Sequence, residues 1–514
     1  MYYPRIEREA RGGDRNLAIE GFGHRIYDAQ TVHEYLIEFL LIFCSPKRWG
    51  DAGTEAPPLT FPMAKGISES TGRLHYTPTA RTGLKRFVFF ERSKHEHRFE
   101  IDRTAYTQLK KRLGDNVRTH PQEFPANAAV AIIQDLFYGF NAVIRNRAWF
   151  TQSLLPVCPE LTFCEAMGSQ AKRKNLHERH RNMDPTFKEI DGTAGFEYHG
   201  HYFLARGGEV YFLHLLRGLV ERPDLTAQLE NGLKKLVRDA FPQLAWLSSW
   251  VEENWFDLMK DQGAEPVVID KKCEWIPEGY AQRAAFSCEE LRNLLDAELP
   301  SLQKLDLLAK GIVMHILRMM SDQTKIIIGA GKSLPWFVDV ASKPSSNVRK
   351  YAVANYRECE EDFAIALDKL ASQQSDLYQP GLPLARQSRI EALREGARFG
   401  SRLFRKLSKD IGLVVPPKGA GARFTLNEDL VQLLVLCLVR PGQKVLLPTF
   451  LEKIKEHFGI VIGPDEMTCF AGLSPAELDS NRASFQDLLK QCGYLKDLSD
   501  ATAIVENPFG GVRK

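Results

Sequence analysis

The chain has 514 residues, 44% of them hydrophobic and 26% charged, which are ordinary globular proportions. At about 150 residues per domain, that length holds about three or four domains, able to bury cores without disulfides or metals. Its 68 basic residues face 65 acidic ones, a net charge of +3, so bulk charge demands no polyanionic partner and any nucleic-acid surface must come from local clustering. The nine cysteines form no CxxC pair, and several sit in apolar runs such as Leu436-Cys437-Leu438; buried, reduced thiols of a cytoplasmic protein are expected. Met1 to Arg5 lacks the apolar core of a signal peptide. The longest strongly apolar segment, Tyr35 to Cys44, is too short to span a bilayer and contains Glu38, so no membrane partner is expected.

Thr31 and Glu34 have capping-box spacing, and Val32, Tyr35, Leu36, Phe39, Leu40 and Phe43 then recur at helical spacing until Pro46. Residues 50–83 are rich in Pro and Gly and predict a long loop. Phe87-Val88-Phe89-Phe90 predicts a strand, completed as a hairpin by Arg98 to Ile101. Asp102 is placed as the cap of a helix through Leu113. Asn127 is placed as the cap of a helix from Ala128 to about Trp149, apolar nearly all round and therefore expected at the centre of the core. Residues 167–195 are polar and basic, the composition of an exposed loop. Phe196 to Leu204, a turn at Arg206-Gly207-Gly208 and a return from Glu209 predict a second hairpin, with a domain boundary near Pro223.

From Leu225 to Lys260 the pattern is helical and carries Trp246, Trp250 and Trp255. Pro266 to Ile269 predicts a short strand. Ser287 and Glu290 have capping-box spacing again, and Ser301 caps a long helix whose stripe is Leu305, Leu308, Ile312, His315, Ile316 and Met319. Residues 347–371 and 383–409 predict two helices packed as an antiparallel pair. Pro416-Pro417-Lys418-Gly419-Ala420-Gly421 has the composition of a linker. Beyond it come a helix opened by Thr425 and Glu428, a strand from Val445 to Leu447, and a helix from Thr449 to His457. A third helix from about Arg482 to Gln491 and paired strands at Tyr494 to Leu498 and Thr502 to Val505 complete the tail. The sequence thus predicts a predominantly helical α+β protein of several domains, with short β-hairpins and a C-terminal winged-helix-like module. The expected divisions are 1–222, 223–415 and 422–514.

Several motifs look chemical. Gly329-Ala330-Gly331-Lys332-Ser333 resembles a phosphate loop, but the position where that loop needs its first glycine is Ile326, so an ordinary glycine turn is expected. His199 and His201 share one face of a strand and make half of a zinc site, but no second ligand pair completes it, and no metal or cofactor is assigned. Asp270-Lys271-Lys272, following Asp257, Asp261 and Glu265, has the acid-x-lysine order of metal-dependent nucleases; Asp270 and Lys272 are the candidate catalytic pair. Three basic clusters are candidate nucleic-acid surfaces. One is centred on Lys85 and Arg86, and one on Lys172, Arg173 and Lys174. The third is a helical stripe of Arg394, Arg398, Arg402, Arg405, Lys406 and Lys409, whose spacing of three and four suits a phosphate backbone. The tail is more acidic than basic, with only Arg482 and Lys490 on its candidate recognition helix, so protein docking is expected of it.

The run Thr31-Val32-His33-Glu34-Tyr35-Leu36-Ile37-Glu38-Phe39-Leu40 and the tail from Phe424 to Phe509 resemble bacterial proteins encoded in anti-phage defence islands. The resemblance covers a minor part of the chain and carries no catalytic motif. It implies a non-catalytic subunit working beside an ATPase, helicase, methyltransferase or nuclease. The expectation is an accessory subunit of a DNA-targeting complex that binds nucleic acid, duplex DNA foremost, through basic surfaces and partner proteins through the tail. A metal-dependent nuclease and a purely structural adaptor are the alternatives.

Overall fold

The computed structural model describes residues 2–3, 21–24, 26, 30–50, 55–62, 72–93, 100–117, 125–143, 151–163, 165–167, 201–203, 207–263, 270–330, 334–341, 343, 346–375, 400–464, 472–499 and 502–510. Their fold is predominantly helical with small sheets. Helix α1 (Val32–Cys44) is enclosed on every side from Glu34 to Phe43. The Glu34 carboxylate accepts the Thr31 N–H at its start. At its end the buried Lys47 ammonium donates to the carbonyls of Ile42, Phe43 and Ser45 at 3.1, 3.0 and 2.6 Å. Burial pulls that ammonium down to about 7. After α1, strands Lys47–Trp49, Glu55–Ala56, Leu74–Tyr76 and Lys271–Lys272 form one antiparallel sheet, so the expected long loop contains two strands.

Residues expected as a strand at 87–90 belong instead to helix α2 (Thr82–Phe89), all of it buried. The strand preference of aromatic residues is weak against enclosure on all sides by other helices. Helix α3 (Glu100–Asn116) begins before Asp102, which lies inside it and faces Arg86 rather than capping. Helix α4 (Ala126–Tyr138) ends well short of Trp149 and gives way to strand Asn141–Val143, paired with Ser153–Leu154. Only Val130, Gln134 and Phe137 of α4 are buried, and Ile132 is 56% exposed, so the helix lies on the surface, not at the core's centre. The expected second hairpin is also replaced. His201–Phe203 pairs with Glu165–Met167, and Gly207 to Glu221 form helix α5. Its first turn sits so close to α1 that a Cβ on Gly208 would lie 2.5 Å from the Phe39 nitrogen, which only glycine permits.

Helices α6 (Thr226–Lys234), α7 (Pro242–Asp261), α8 (Ala284–Asp296), α9 (Ser301–Ile328), α10 (Asn347–Ser375) and α11 (residues 400–410) build the middle of the molecule. Ser287 and Glu290 lie inside α8, not at its cap; Arg283, with φ of 65°, precedes it. Lys325 to Ile328 are the last turn of α9, and Gly329, at φ of 83°, closes it as a left-handed cap. The stretch expected as a linker at 416–421 is a hairpin loop: Val414–Val415 and Arg423–Phe424 pair antiparallel on either side of it.

The tail follows as α12 (Glu428–Leu438), strand Lys444–Leu446, α13 (Leu447–Phe458), α14 (Pro475–Gln491), and strands Leu495–Ser499 and Thr502–Glu506. The first tail strand pairs with the last, which pairs with the one before it. Asn427, not Thr425, caps α12, accepting the Leu430 N–H at 2.9 Å. Helix α13 begins before Thr449, and α14 starts at the Ser474–Glu477 capping box, ahead of Arg482. One hydrophobic cluster runs from Phe22 to Val505, across both expected boundaries. Ile460–Val461 of the tail pairs in parallel with Trp336–Phe337 of the middle.

A chain of buried polar groups fastens the tail to the middle. His457 Nδ1 on α13 lies 2.6 Å from one oxygen of Glu290, and His315 Nε2 on α9 lies 2.8 Å from the other. Ser287 Oγ bridges His315 and His214, at 3.4 and 2.8 Å, and His214 Nδ1 meets the Tyr280 carbonyl at 2.7 Å. Burial pushes the Glu290 carboxyl up, but the two imidazoles outweigh it and hold it at about 2. Burial, helped by His315, pulls His214 down to about 3. Beside this chain, Arg318 pairs with Asp322 at 2.7 Å, donates to the Leu334 carbonyl at 3.1 Å and stacks over Trp336. Arg283, paired with the same Asp322, reaches the Glu456 carbonyl at 3.1 Å.

Candidate nucleic-acid interface

Helix α11 buries Leu403, Phe404, Leu407 and Ser408 and turns Arg402, Arg405, Lys406 and Lys409 outward. The outward set spans about 100° of the helix, because residues three and four apart share a face. Helix α11 packs antiparallel on α10, with Phe404 against Phe363 at 6.2 Å between ring centroids. Gly400 permits the approach, since a Cβ there would meet the Phe363 ring at 2.4 Å. The hairpin loop then folds beside both helices, and Lys409 Nζ donates to the Pro417 carbonyl at 3.3 Å. Between α10, α11 and this loop runs a groove of about 260 Å³, which Arg357, Arg405 and Lys409 line.

Its electrostatics are set by one carboxylate and three cations. Arg405 Nε and Nη2 donate to the two oxygens of Glu360 at 2.7 and 2.8 Å, and the Tyr356 hydroxyl donates to the same carboxylate at 2.6 Å. This hydrogen bonding holds the Arg405 guanidinium pKa above its ordinary value. Burial, reinforced by Glu360, does the same for the Tyr356 hydroxyl. Among the described residues no carboxylate lies within ion-pairing distance of Arg357 or Lys409. Lys406 pairs with Asp410 at 3.0 Å and also reaches the Gln30 carbonyl, so its charge is largely spent. Arg402 is exposed one turn before Lys406. Arg394 and Arg398, the stripe's first members, lie outside the described residues.

The other candidates are placed differently. Lys85 and Arg86 are fully buried in α2. Arg86 pairs with Asp102 at 3.3 Å and stacks over Trp255, and Lys85 lies over Phe163, so neither can reach a phosphate without opening the core. Burial lowers Arg86 to about 9. Lys172, Arg173, Lys174 and His199 lie outside the described residues, as do Gly331 to Ser333. Asp270 Oδ2 is 2.7 Å from Arg48 Nη2 and 2.9 Å from His75 Nδ1, and Lys272 is on the edge strand, opposite His75. Of the acids expected to share a metal with Asp270, Asp257 and Asp261 are both engaged with Arg112, at 3.6 and 2.5 Å, and Glu265 lies outside the described residues. Among the described residues no group of three or more His, Cys, Asp or Glu is placed to hold a metal ion.

On the tail's third helix, Arg482 pairs with Asp479 at 2.9 Å and Lys490 with Asp497 at 2.8 Å. Its buried Asn481 donates to the carbonyls of Val338 and Ile462 at 2.8 and 2.6 Å, fixing one face of that helix to the body. Sequence reasoning missed two sets of residues. Arg357 belongs to the groove but sits on a different helix, and the only local signal is its Val353, Tyr356, Arg357, Glu360 spacing. The Glu290 chain had a signal in His315, a titratable residue inside an otherwise apolar stripe. No family model, curated protein or solved structure matches this chain.

Proposed function

We propose that this protein is an accessory, non-catalytic subunit of a bacterial DNA-targeting, anti-phage complex, which holds nucleic acid by its phosphate backbone and partner proteins by its C-terminal module. The observation that carries the nucleic-acid part is the groove between α10 and α11, where Arg357 and Lys409 keep uncompensated charge beside the Arg405–Glu360 pair. Such a surface neutralises phosphates without reading bases. The docking part is supported by the tail's order of helix, strand, helix, a short strand paired with the body, helix and two-stranded ribbon, with the first strand next to the last, as in a winged helix apart from the added strand. Its third helix offers ion-paired cations, a poor start for entering a DNA groove. The defence-complex part rests on the resemblance of residues 31–40 and 424–509.

The test is duplex binding followed by fluorescence anisotropy. Arg357→Glu and Lys409→Glu combined should weaken affinity on the order of tenfold or more, as two neutralised phosphates become two repulsions. Circular dichroism should be unchanged. Equal affinity of both proteins would remove the groove from the reading. No binding by wild type at low salt would leave an adaptor without nucleic acid.

A further inference from the structure

The hairpin loop makes the groove a pocket. Helix α10 brings Arg357 and Glu360, α11 brings Arg405 and Lys409, and the third wall is Gly419 to Ala422. Gly419 and Gly421 have φ of 97° and 79°, and a Cβ on either would meet no atom within 4 Å, so no side chain screens the loop's backbone there. The space of about 260 Å³ falls just below the roughly 300–1,000 Å³ of ordinary small-molecule sites. It suits one small anionic group with part of its carrier.

We propose that this pocket seats the terminal phosphate monoester of a nucleic-acid strand; the inference rests on the nucleic-acid reading above and narrows it. Charge selects the monoester. Three cations against one carboxylate leave the pocket two positive charges in excess (3 − 1 = 2). A backbone phosphodiester brings one negative charge, whereas a monoester brings about 1.5 to 2 at pH 7. Geometry agrees with charge. Glu360 engages Nε and Nη2 of Arg405 and fixes the plane of its guanidinium, which holds the remaining N–H donors in a set orientation. Lys409, tied to the loop through the Pro417 carbonyl, and Arg357 on the facing helix line the same pocket.

The experiment compares one short single-stranded oligonucleotide in three forms, 5′-phosphorylated, 3′-phosphorylated and hydroxyl at both ends, binding to the full chain at one salt concentration. At least one phosphorylated form should bind about tenfold tighter than the hydroxyl form, the effect of one or two added charged hydrogen bonds. The ratio should fall to about one in Arg357→Gln/Lys409→Gln. Equal binding of the three forms by wild type would overturn the inference while leaving backbone binding in place. A preference that survives the double substitution would also overturn it, by placing the phosphate elsewhere. Failure of every form to bind at low salt would instead sink the nucleic-acid reading itself.

Discussion

Arg86 and Arg405 both face a carboxylate across a helix pair, yet one is sealed in the core and the other is 57% exposed. The same contrast separates the chain centred on Glu290 from the groove centred on Glu360. In the first, one carboxylate holds two imidazoles, and every member is buried between α8, α9 and α13. In the second, one carboxylate is outnumbered by cations at the surface. Burial makes charge a structural commitment, because removing one partner strands the other in low dielectric. Exposure with incomplete pairing leaves charge available to a ligand. A basic cluster in sequence is therefore not a nucleic-acid surface until its pairing and burial are known.

The largest expected effect comes from cutting the C-terminal tail away from the body. Eight residues of α12, from Leu430 to Leu438, are buried. At about 1.5–3 kcal/mol per large apolar side chain, their burial rivals the whole stability of a typical domain, about 5–15 kcal/mol. A chain ending at residue 424 should lose its cooperative thermal transition and aggregate. A sharp transition close to that of the full protein would mean the core divides at the hairpin loop. Next, Glu290→Ala should cost about 3–5 kcal/mol in denaturant unfolding, the usual penalty for breaking a buried pair. Arg86→Ala should cost a similar amount. By contrast, Arg357→Gln with Lys409→Gln should shift stability by no more than about 0.5 kcal/mol. If the groove pair proved as costly as Arg86, the distinction between the two regions would collapse.

A separate effect follows from protons. His214 is held at about 3, below its ordinary 6.5, so the unfolded chain binds a proton first and stability declines as pH falls from 6.5 toward 3. Glu290 is held at about 2, below its ordinary 4.5, so its contribution is present above 4.5 and is lost as pH falls through 2. Both act in the same direction. Urea midpoints measured at intervals from pH 7 to pH 4 should fall steadily, and His214→Gln should flatten the upper part of that decline. A flat profile in wild type would argue that the chain is not holding His214 neutral.

Parts of this contrast were legible in the sequence and parts were not. The α1 stripe, the α9 stripe and the order of tail elements were readable because each is a local periodic pattern. Arg402 to Lys409 were readable for the same reason. The burial of Lys85 and Arg86 was not, because Asp102, Phe163 and Trp255 are supplied by distant segments. Phe87 to Phe90 misled because aromatic residues favour strands until neighbouring helices enclose them. Pro416 to Gly421 misled because a hairpin loop and a linker share a composition, and only the pairing of Val414–Val415 with Arg423–Phe424 tells them apart.

The central claim, that the groove cations of α10 and α11 hold a phosphate backbone, is tested most directly by the salt dependence of duplex binding. The logarithm of the binding constant falls linearly with the logarithm of salt, with a slope of about 0.9 per neutralised phosphate. Replacing Arg357 and Lys409 by Gln should lower that slope by about 1.8. The matching tail variant, Arg482→Gln with Lys490→Gln, should keep the wild-type slope, because those cations are already paired with Asp479 and Asp497. An unchanged slope in the groove variant, or an equal loss in the tail variant, would contradict the account.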